Sequence, residues 1–424
     1  MKILYDISIL GMGHYAPAQT GIFRVVENIA YGLAESDECC VSFCSSHSLA
    51  NLSQIIGYLE ATPELENIPL VHPNLPKNLY KNISGVIKKI NGQSEVGFSH
   101  KVLRRGLYYS LRLLGKTIKP LTIKELSAAD LFHSPFLPFP EYTKAAGNTK
   151  RIITVYDLIP ILYPKFFAYE ENSLIKNVVN NIELNDWAVC ISDSTKNDLC
   201  DYRKDLDPSR VFVAHPAASE LFYPCNDAEK IDSIKKKYGI PDVPYILSLN
   251  TLEPRKNMAH AIRSFARMVE QENIKDLSLV LVGTKGWLYG EIFDELSKNS
   301  ALKDRVIITG FAADEDLAAL YSGALAFVYP SFYEGFGLPL LEAMQCGVPV
   351  ISSDTSSLPE VVGEAGIMVS PTDDDALCQG MLDIYNSDSL RETMSLKSIE
   401  QAKKFSWQKC MRETINAYKD ALKS

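Results

Sequence analysis

Residues 328–350 read VYPSFYEGFGLPLLEAMQCGVPV and spell out one complete α/β unit. The apolar run at 324–329 predicts a buried strand, and Pro330 and Ser331 end it. The loop SFYEGFG follows, with Gly335 and Gly337 on either side of Phe336. Pro339 stands where a helix begins, since proline needs no amide partner in a first turn. Leu340, Leu341, Ala343 and Met344 continue that helix, and Gly347 stops it. Val348, Pro349, Val350 and Ile351 open the next strand. Strand, glycine loop, helix and strand together predict a parallel sheet with crossover helices.

A helix N-terminus carries unpaired amides and a positive dipole end, so it suits an anion such as phosphate. Two glycines let the backbone approach a ligand with no Cβ in the way. Glu334 precedes the helix and Glu342 lies in its first turns, eight positions later. Carboxylates accept hydrogen bonds from hydroxyl groups and repel phosphate. The pair therefore suits a ligand with hydroxylated groups on both sides of a phosphate, which describes a sugar nucleotide. A plainer reading gives Glu342 to the helix dipole and the glycines to a turn.

EGFGLPLLEAM resembles the E-x7-E segment of family 4 retaining glycosyltransferases of the GT-B fold. The resemblance implies two Rossmann-like domains facing across a cleft. It places Glu334 on the donor sugar, Glu342 on the ribose, and the amides of Phe336, Gly337 and Leu338 on the diphosphate.

The chain has 424 residues, enough for two domains. Its net charge of −9 argues against general nucleic-acid binding. No apolar run approaches the ~20 residues of a spanning helix. MKILYDISIL leads straight into a strand and lacks a cleavage region, so a cytoplasmic location is expected. The nine cysteines are scattered without a C-x-x-C, which fits reduced thiols.

In the N-terminal half, residues 3–9 predict the first strand. A glycine-bearing loop with Gly11 and Gly13 follows, and a helix starts near Gly21 on the spacing of Ile22, Val25, Val26, Ile29, Ala30 and Leu33. Gly21 and Arg24 match the family's glycine-then-arginine pattern, in a loop that closes on the donor phosphates and faces the acceptor. A solvated helix face is the other reading of Arg24. Residues 77–124 hold eleven Lys or Arg against one acid, Glu95. Within them, residues 98–120 read as a basic amphipathic helix suited to an anionic membrane surface. An ordinary helix with a basic outer face is the alternative. The strand at 152–155 ends at Tyr156 and Asp157, on the sheet edge where open α/β folds bind ligands. The family has histidine where this chain has Tyr156. Tyr156, Asp157 and His133 are the acceptor-side candidates, and Ser192 is a candidate cap.

The expected domain boundary falls between Pro224 and Lys237. This gives an acceptor-side domain at 1–230, a nucleotide-sugar domain at 231–405, and a terminal helix at 406–424 that crosses back. In NTLEPRKNM, Arg255 and Lys256 sit between a strand end and a helix start, where cations can neutralise a diphosphate. The family's lysine matches Lys256. Its separate arginine is replaced by Asn250 and Thr251, and Arg255 takes over that part. Gly310 and Phe311 fall where the family meets the nucleotide base. Asp373, Asp374 and Asp375 read as helix capping, and no metal is expected. Glu334, Lys256 and Arg255 are thus the expected catalytic group.

The expected activity is retaining transfer of a hexose, foremost mannose from GDP-mannose, to a glycan or lipid-linked saccharide in surface polysaccharide synthesis. No cofactor is expected beyond the donor. A UDP-sugar donor, an epimerase or hydrolase of the same fold, and a non-catalytic partner subunit are the alternatives.

Overall fold

The computed structural model describes residues 1–14, 21–72, 119–167, 173–286, 290–298 and 304–424, with Gly106 and Leu302. The expected membrane-facing helix at 98–120 lies almost entirely outside them. Among the described residues no helix is long and apolar enough to cross a membrane.

Two six-stranded parallel sheets form the protein. The first runs in the order β2-β1-β3-β4-β5-β6, with β1 Lys2–Asp6, β2 Cys40–Cys44, β3 Leu131–Ser134, β4 Lys150–Val155, β5 Trp187–Cys190 and β6 Val211–Val213. The second runs β12-β11-β10-β7-β8-β9, with β7 Tyr245–Leu249, β8 Ser278–Val282, β9 Val306–Gly310, β10 Ala326–Tyr329, β11 Val350–Ser353 and β12 Ile367–Val369. Strands such as SLVLV, AFVY and WAVC are buried along their whole length. That is what a parallel sheet covered by helices on both faces requires.

The two sheets turn their strand ends toward each other. The second sheet reverses its winding between β7 and β10, which pair directly through Ala326–Ile246 and Phe327–Leu247. The loops after these two strands are LEPRKN and SFYEGFG. The sequence motifs with the most chemistry thus sit at the topological switch point, where an α/β sheet opens a crevice.

One expected loop is a helix. Ser8–His14 is helical, and it lies so close to the Leu49–Glu60 helix that a Cβ on Gly11 would stand 2.6 Å from the Ile55 nitrogen. Gly11 therefore serves helix packing rather than ligand approach.

The terminal helix, Trp407–Lys423, buries Cys410, Met411, Thr414, Ile415, Ala417, Tyr418 and Ala421. This spacing makes one apolar stripe. The stripe crosses back onto the first sheet's layer, where Met411 packs on Gly32 and Lys419 pairs with Glu38. Tyr418 Oη lies 2.6 Å from His133 Nδ1, and His133 Nε2 lies 2.8 Å from Thr154 Oγ1. This corrects the acceptor-side assignment of His133. Its ring is fully buried with both nitrogens engaged, and burial pushes it down to about 3, so it stays neutral. His133 fastens the terminal helix instead. Tyr418→Phe should lower unfolding free energy by about 1–3 kcal/mol in urea titrations, because it leaves a buried imidazole nitrogen unpaired.

Candidate active site

After β7 the chain makes a tight turn at Pro254–Lys256 and passes through Asn257, which has a left-handed φ of 59°. The Asn257 side-chain amide donates to the carbonyls of Pro330 (3.0 Å) and Pro371 (2.7 Å). The Phe332 amide donates to the Arg255 carbonyl at 2.9 Å. These bonds lock the turn against the loop after β10 and aim Arg255 and Lys256 into it.

Both cations converge on Glu334. Arg255 Nη1 lies 2.6 Å from Glu334 Oε2, and Lys256 Nζ lies 2.6 Å from Oε1. Arg255 Nη2 also donates to Glu253 Oε1 at 2.7 Å, and Lys256 Nζ donates to Tyr329 Oη at 3.0 Å. Two cations and two carboxylates thus form a neutral cluster, each side chain at most 13% exposed. Burial alone would raise the Glu334 carboxyl, but the charges of Arg255 and Lys256 outweigh it and hold it at about 2. Burial, reinforced by Arg255, pulls Lys256 below its usual range.

The loop carrying Glu334 is held from all sides. Ser357 Oγ donates to the carbonyls of Glu334 (3.0 Å) and Phe336 (2.9 Å), and the Glu334 amide donates to Ser356 Oγ at 3.0 Å. Gly337 has φ +111°, a value L side chains rarely adopt, and opens the Leu338–Gln345 helix. The first amides of that helix have no intrahelical acceptor. Phe336 itself is buried between His215 and Phe405, at 6.1 and 5.6 Å between ring centres. Its backbone and those of Gly337 and Leu338 form the entry to this helix.

The first domain meets this loop at the ends of β4 and β5. Ser192 caps the Asp193–Tyr202 helix and also donates to the Gly335 carbonyl at 2.7 Å. Asp157 packs beside Gly335; burial raises its carboxyl, while Arg255 and Lys256 oppose the shift. The Tyr156 side chain does not enter the site. It is 5% exposed, packs edge-on against Phe136, and its hydroxyl has no hydrogen-bond partner among the described residues. Successive side chains of an extended chain point to opposite sides, so residue 157 faces the second domain and 156 faces the core. This corrects the acceptor-side assignment of Tyr156.

Glu342 lies on the next turn of the Leu338 helix, 4% exposed. Tyr321 Oη donates to one oxygen at 3.1 Å, and Arg24 Nη1 reaches the other at 3.1 Å from the first domain. Arg24 Nη2 also contacts Asp314 at 2.6 Å. Arg24 is therefore a bridge between domains rather than a solvated surface charge. Gly21, at the start of the same Gly21–Glu35 helix, faces Leu338, 3.3 Å from where its Cβ would stand.

Burial pushes the Glu342 carboxyl up from 4.5 to about 7, although Arg24 and Tyr321 oppose the shift. The folded protein therefore keeps a proton that the unfolded chain releases, and stability falls as pH rises between these two values. Glu342→Gln mimics the protonated form. Thermal melts should show it more stable than the parent by about 1–3 kcal/mol at pH 8, with the difference vanishing near pH 4.5.

Gly310 ends β9 and Phe311 follows it, three strands away from β10 on the same edge. Gly310 has φ +76° with open space beside it, and Phe311 is 60% exposed. Asp373 caps the Asp374–Asn386 helix by accepting from the Ala376 amide at 2.9 Å. Among the described residues, one trio has metal-ligand spacing: Asp193, His215 and Glu360. Glu360 there already accepts the amides of Asp193 (2.8 Å) and Ser194 (2.6 Å), which makes it a cap reaching from the second domain.

The sequence profile described as Glycosyl transferases group 1 matches residues 230–403. The O-antigen chain mannosyltransferase B of Escherichia coli is 36% identical over 293 residues, which cover 68% of this chain and 74% of that protein. This chain belongs to the group 1 glycosyl transferases. It is also 32% identical to the serotype-specific mannosyltransferase WbdA of Escherichia coli over 279 residues, 65% of this chain but 34% of that longer protein. The solved structure of Anabaena HepE in complex with UDP superposes with a TM-score of 0.65 at 16% identity, covering 99% of this chain and 100% of that one. The two-domain GT-B architecture of the transferase is thereby shown.

Sequence reasoning missed three members of the site. Glu253 was visible only as an acid flanking two cations in LEPRKN. Tyr329 reads as one more apolar strand residue. Asp314 starts a helix and looks like a dipole partner until Arg24 arrives from a different domain.

Proposed function

We propose that this transferase moves mannose from GDP-mannose to a saccharide acceptor of a growing surface polysaccharide, with retention of configuration. The observation that carries the reading is the buried cluster of Glu334, Arg255 and Lys256 at the mouth of the Leu338 helix. The mannosyltransferase names of the relatives at 36% and 32% identity support the sugar. The UDP held by the similarly folded HepE supports a nucleoside diphosphate.

In this reading the donor diphosphate lies over the Leu338 helix. The bond from sugar C1 to the diphosphate oxygen breaks, and C1 bonds to an acceptor hydroxyl oxygen. The hydroxyl proton passes to the departing diphosphate. Negative charge grows on that leaving group, and fixed cations and amides aimed at it lower the barrier. Arg255, Lys256 and the helix amides supply them, the role a metal ion has in other transferases. Glu334 accepts from the sugar hydroxyls while keeping both cations in register. Glu342 accepts from the ribose. Gly310 and Phe311 lie toward the base, and Asp157 and Arg24 complete the acceptor side. The acceptor is a saccharide or lipid-linked saccharide, and the basic segment at 98–120 brings the enzyme to the inner membrane face.

The test is a thermal-shift series with GDP, UDP, ADP and their sugars, without added metal. A ligand at a hundred times its Kd stabilises the folded state by about 2.7 kcal/mol. Selective shifts with GDP and GDP-mannose are expected. A UDP-selective shift would keep the fold and replace the donor, and no shift with any nucleotide would overturn the reading.

A further inference from the structure

One helix of the first domain grips the loop that carries Glu334. Ser192, Thr195 and Asp198 recur every third residue and so share one side of the Asp193–Tyr202 helix and its cap. Ser192 Oγ and Thr195 Oγ1 donate to the Gly335 carbonyl at 2.7 and 3.3 Å. Farther along, the Asp198 carboxylate accepts from Tyr333 Oη, which lies 2.9 Å from Oδ1 and 2.7 Å from Oδ2. The residues on either side of Glu334 are therefore both fastened to the other domain. Beside them, Tyr163 lies against Tyr333 with ring centres 4.7 Å apart, and Phe166 stacks on Phe332 at 5.4 Å.

Tyr333 also reaches the buried charge cluster. Its carbonyl accepts from Arg255 Nη1 at 2.7 Å, and the same nitrogen lies 2.6 Å from Glu334 Oε2. A line of bonds thus runs from Asp198 through the Tyr333 hydroxyl and backbone to Arg255 and Glu334. The Tyr333 ring packed on Tyr163 has little freedom to turn on its own, so the bond at its hydroxyl restrains its carbonyl as well. The second domain holds the Glu334 backbone through Ser356 and Ser357. The first domain, through Tyr333, restrains the guanidinium that the Glu334 carboxylate meets. A carboxylate suits this task, because hydrogen bonds to ionised acceptors are stronger than neutral ones. Burial raises the Asp198 carboxyl, and the Tyr333 bond opposes the shift.

We propose that Asp198 is a positioning residue for the transfer step: by holding the Tyr333 hydroxyl from the first domain, it sets the Arg255–Glu334 pair at the angle from which Glu334 meets the donor sugar. The proposal rests on the reading of Glu334 as the sugar's partner. It makes the two halves of the donor answer to different domains. A bare nucleoside diphosphate needs the second domain alone. The sugar needs Glu334 placed closely, since a small misplacement of reacting groups is costly, and that placement depends on Asp198.

The experiment uses the full-length parent, Asp198→Ala, Asp198→Asn, Tyr333→Phe and the double variant Asp198→Ala/Tyr333→Phe. Calorimetry compares GDP with GDP-mannose, and UDP with UDP-glucose, in whichever pair the parent binds. Release of the diphosphate from that sugar nucleotide, with octyl mannoside as the probe acceptor, gives kcat. Asp198→Ala should weaken the sugar nucleotide at least about fivefold and leave the bare diphosphate within about twofold. Its kcat should fall at least about thirtyfold. Tyr333→Phe should match it, and the double variant should be no worse than either, because the two groups act through one bond. Asp198→Asn keeps an acceptor oxygen and should stay within about threefold of the parent. Tyr333→Phe removes a single oxygen atom, and it keeps the test open if Asp198→Ala does not fold. Equal weakening of sugar nucleotide and diphosphate, or a lower melting temperature with both affinities unmoved, would make the bond a structural fastening and overturn the positioning role. Additive losses in the double variant would separate Asp198 from Tyr333 and overturn it too. A parent that binds neither diphosphate would overturn the donor-site reading, and the positioning role with it.

Discussion

Glu334→Ala should lower kcat/KM for transfer by more than about a thousandfold and destabilise the fold by roughly 3–5 kcal/mol, while leaving GDP binding at least as tight as in the parent. The three effects have one source. Glu334 neutralises two buried cations, and only Glu253 remains for Arg255 once it is gone. Lys256 is then left with the Tyr329 hydroxyl, which carries no charge. Removing one partner of a buried pair costs more than the pair is worth, because the other charge stays desolvated. A diphosphate can take the place of the lost carboxylate, so the variant should gain more in melting temperature from GDP than the parent does. Transfer still fails in the proposed reading, in which Glu334 is the group that meets the sugar hydroxyls. Urea denaturation, calorimetry with GDP and initial rates separate the three. A variant as stable as the parent would mean that the cations are not held by Glu334 in solution.

The pH dependence of stability carries a matching sign. Glu334 sits at about 2, below its ordinary 4.5, so its contribution is fully present above pH 4.5 and is lost as pH falls toward 2. Glu342 works in the opposite sense at higher pH. Two carboxylates eight residues apart on one motif are thus driven apart by their surroundings. Glu334 faces two cations, whereas Glu342 is buried with one partly exposed arginine. One is firmly ionised and the other is poised near neutrality.

The parts of the site that were legible in the sequence are those built by neighbours in the chain. The strand, glycine loop and helix around Glu334 follow from apolar runs, two glycines and a proline within a single stretch. Lys256 and Arg255 follow from their place between a strand and a helix. The parts that were not legible depend on distant contacts. Arg24 and Glu342 are 318 positions apart, and nothing local distinguishes Arg24 from a solvated helix charge. His133 and Tyr156 both lie at or just after the ends of strands facing the cleft, and strand position alone made them candidates. The terminal helix decides otherwise for His133, because Tyr418 takes one ring nitrogen from 285 residues away. For Tyr156 the decision lies in which way one residue of a strand end points. The helical turn at Gly11 escaped for a related reason: a glycine reads as a loop residue until a second helix crosses it.

Gly335→Ala should separate binding from turnover. Gly335 is where the donor-side loop touches the first domain. A methyl group there would be driven into the Tyr156 carbonyl oxygen and stand 3.1 Å from Asp157 Cβ. Both neighbours are backbone or close to it, so neither can step aside as a flexible side chain would. The loop must retreat, and the hydroxyls of Ser192 and Thr195 then lose the Gly335 carbonyl. In the proposed reading the nucleotide contacts lie almost wholly in the second domain, and GDP affinity should change by less than about threefold. Transfer needs the acceptor brought against the donor sugar to within a few tenths of an ångström, and a misplacement of about 1 Å costs on the order of a hundredfold. The expected result is a kcat lowered by about a hundredfold with a nearly unchanged GDP Kd. Small-angle scattering should show a larger radius of gyration, because the same methyl group holds the two sheets apart. If kcat were unchanged, the contact between Gly335 and Tyr156 would not belong to the working conformation, and the cleft would close by another path.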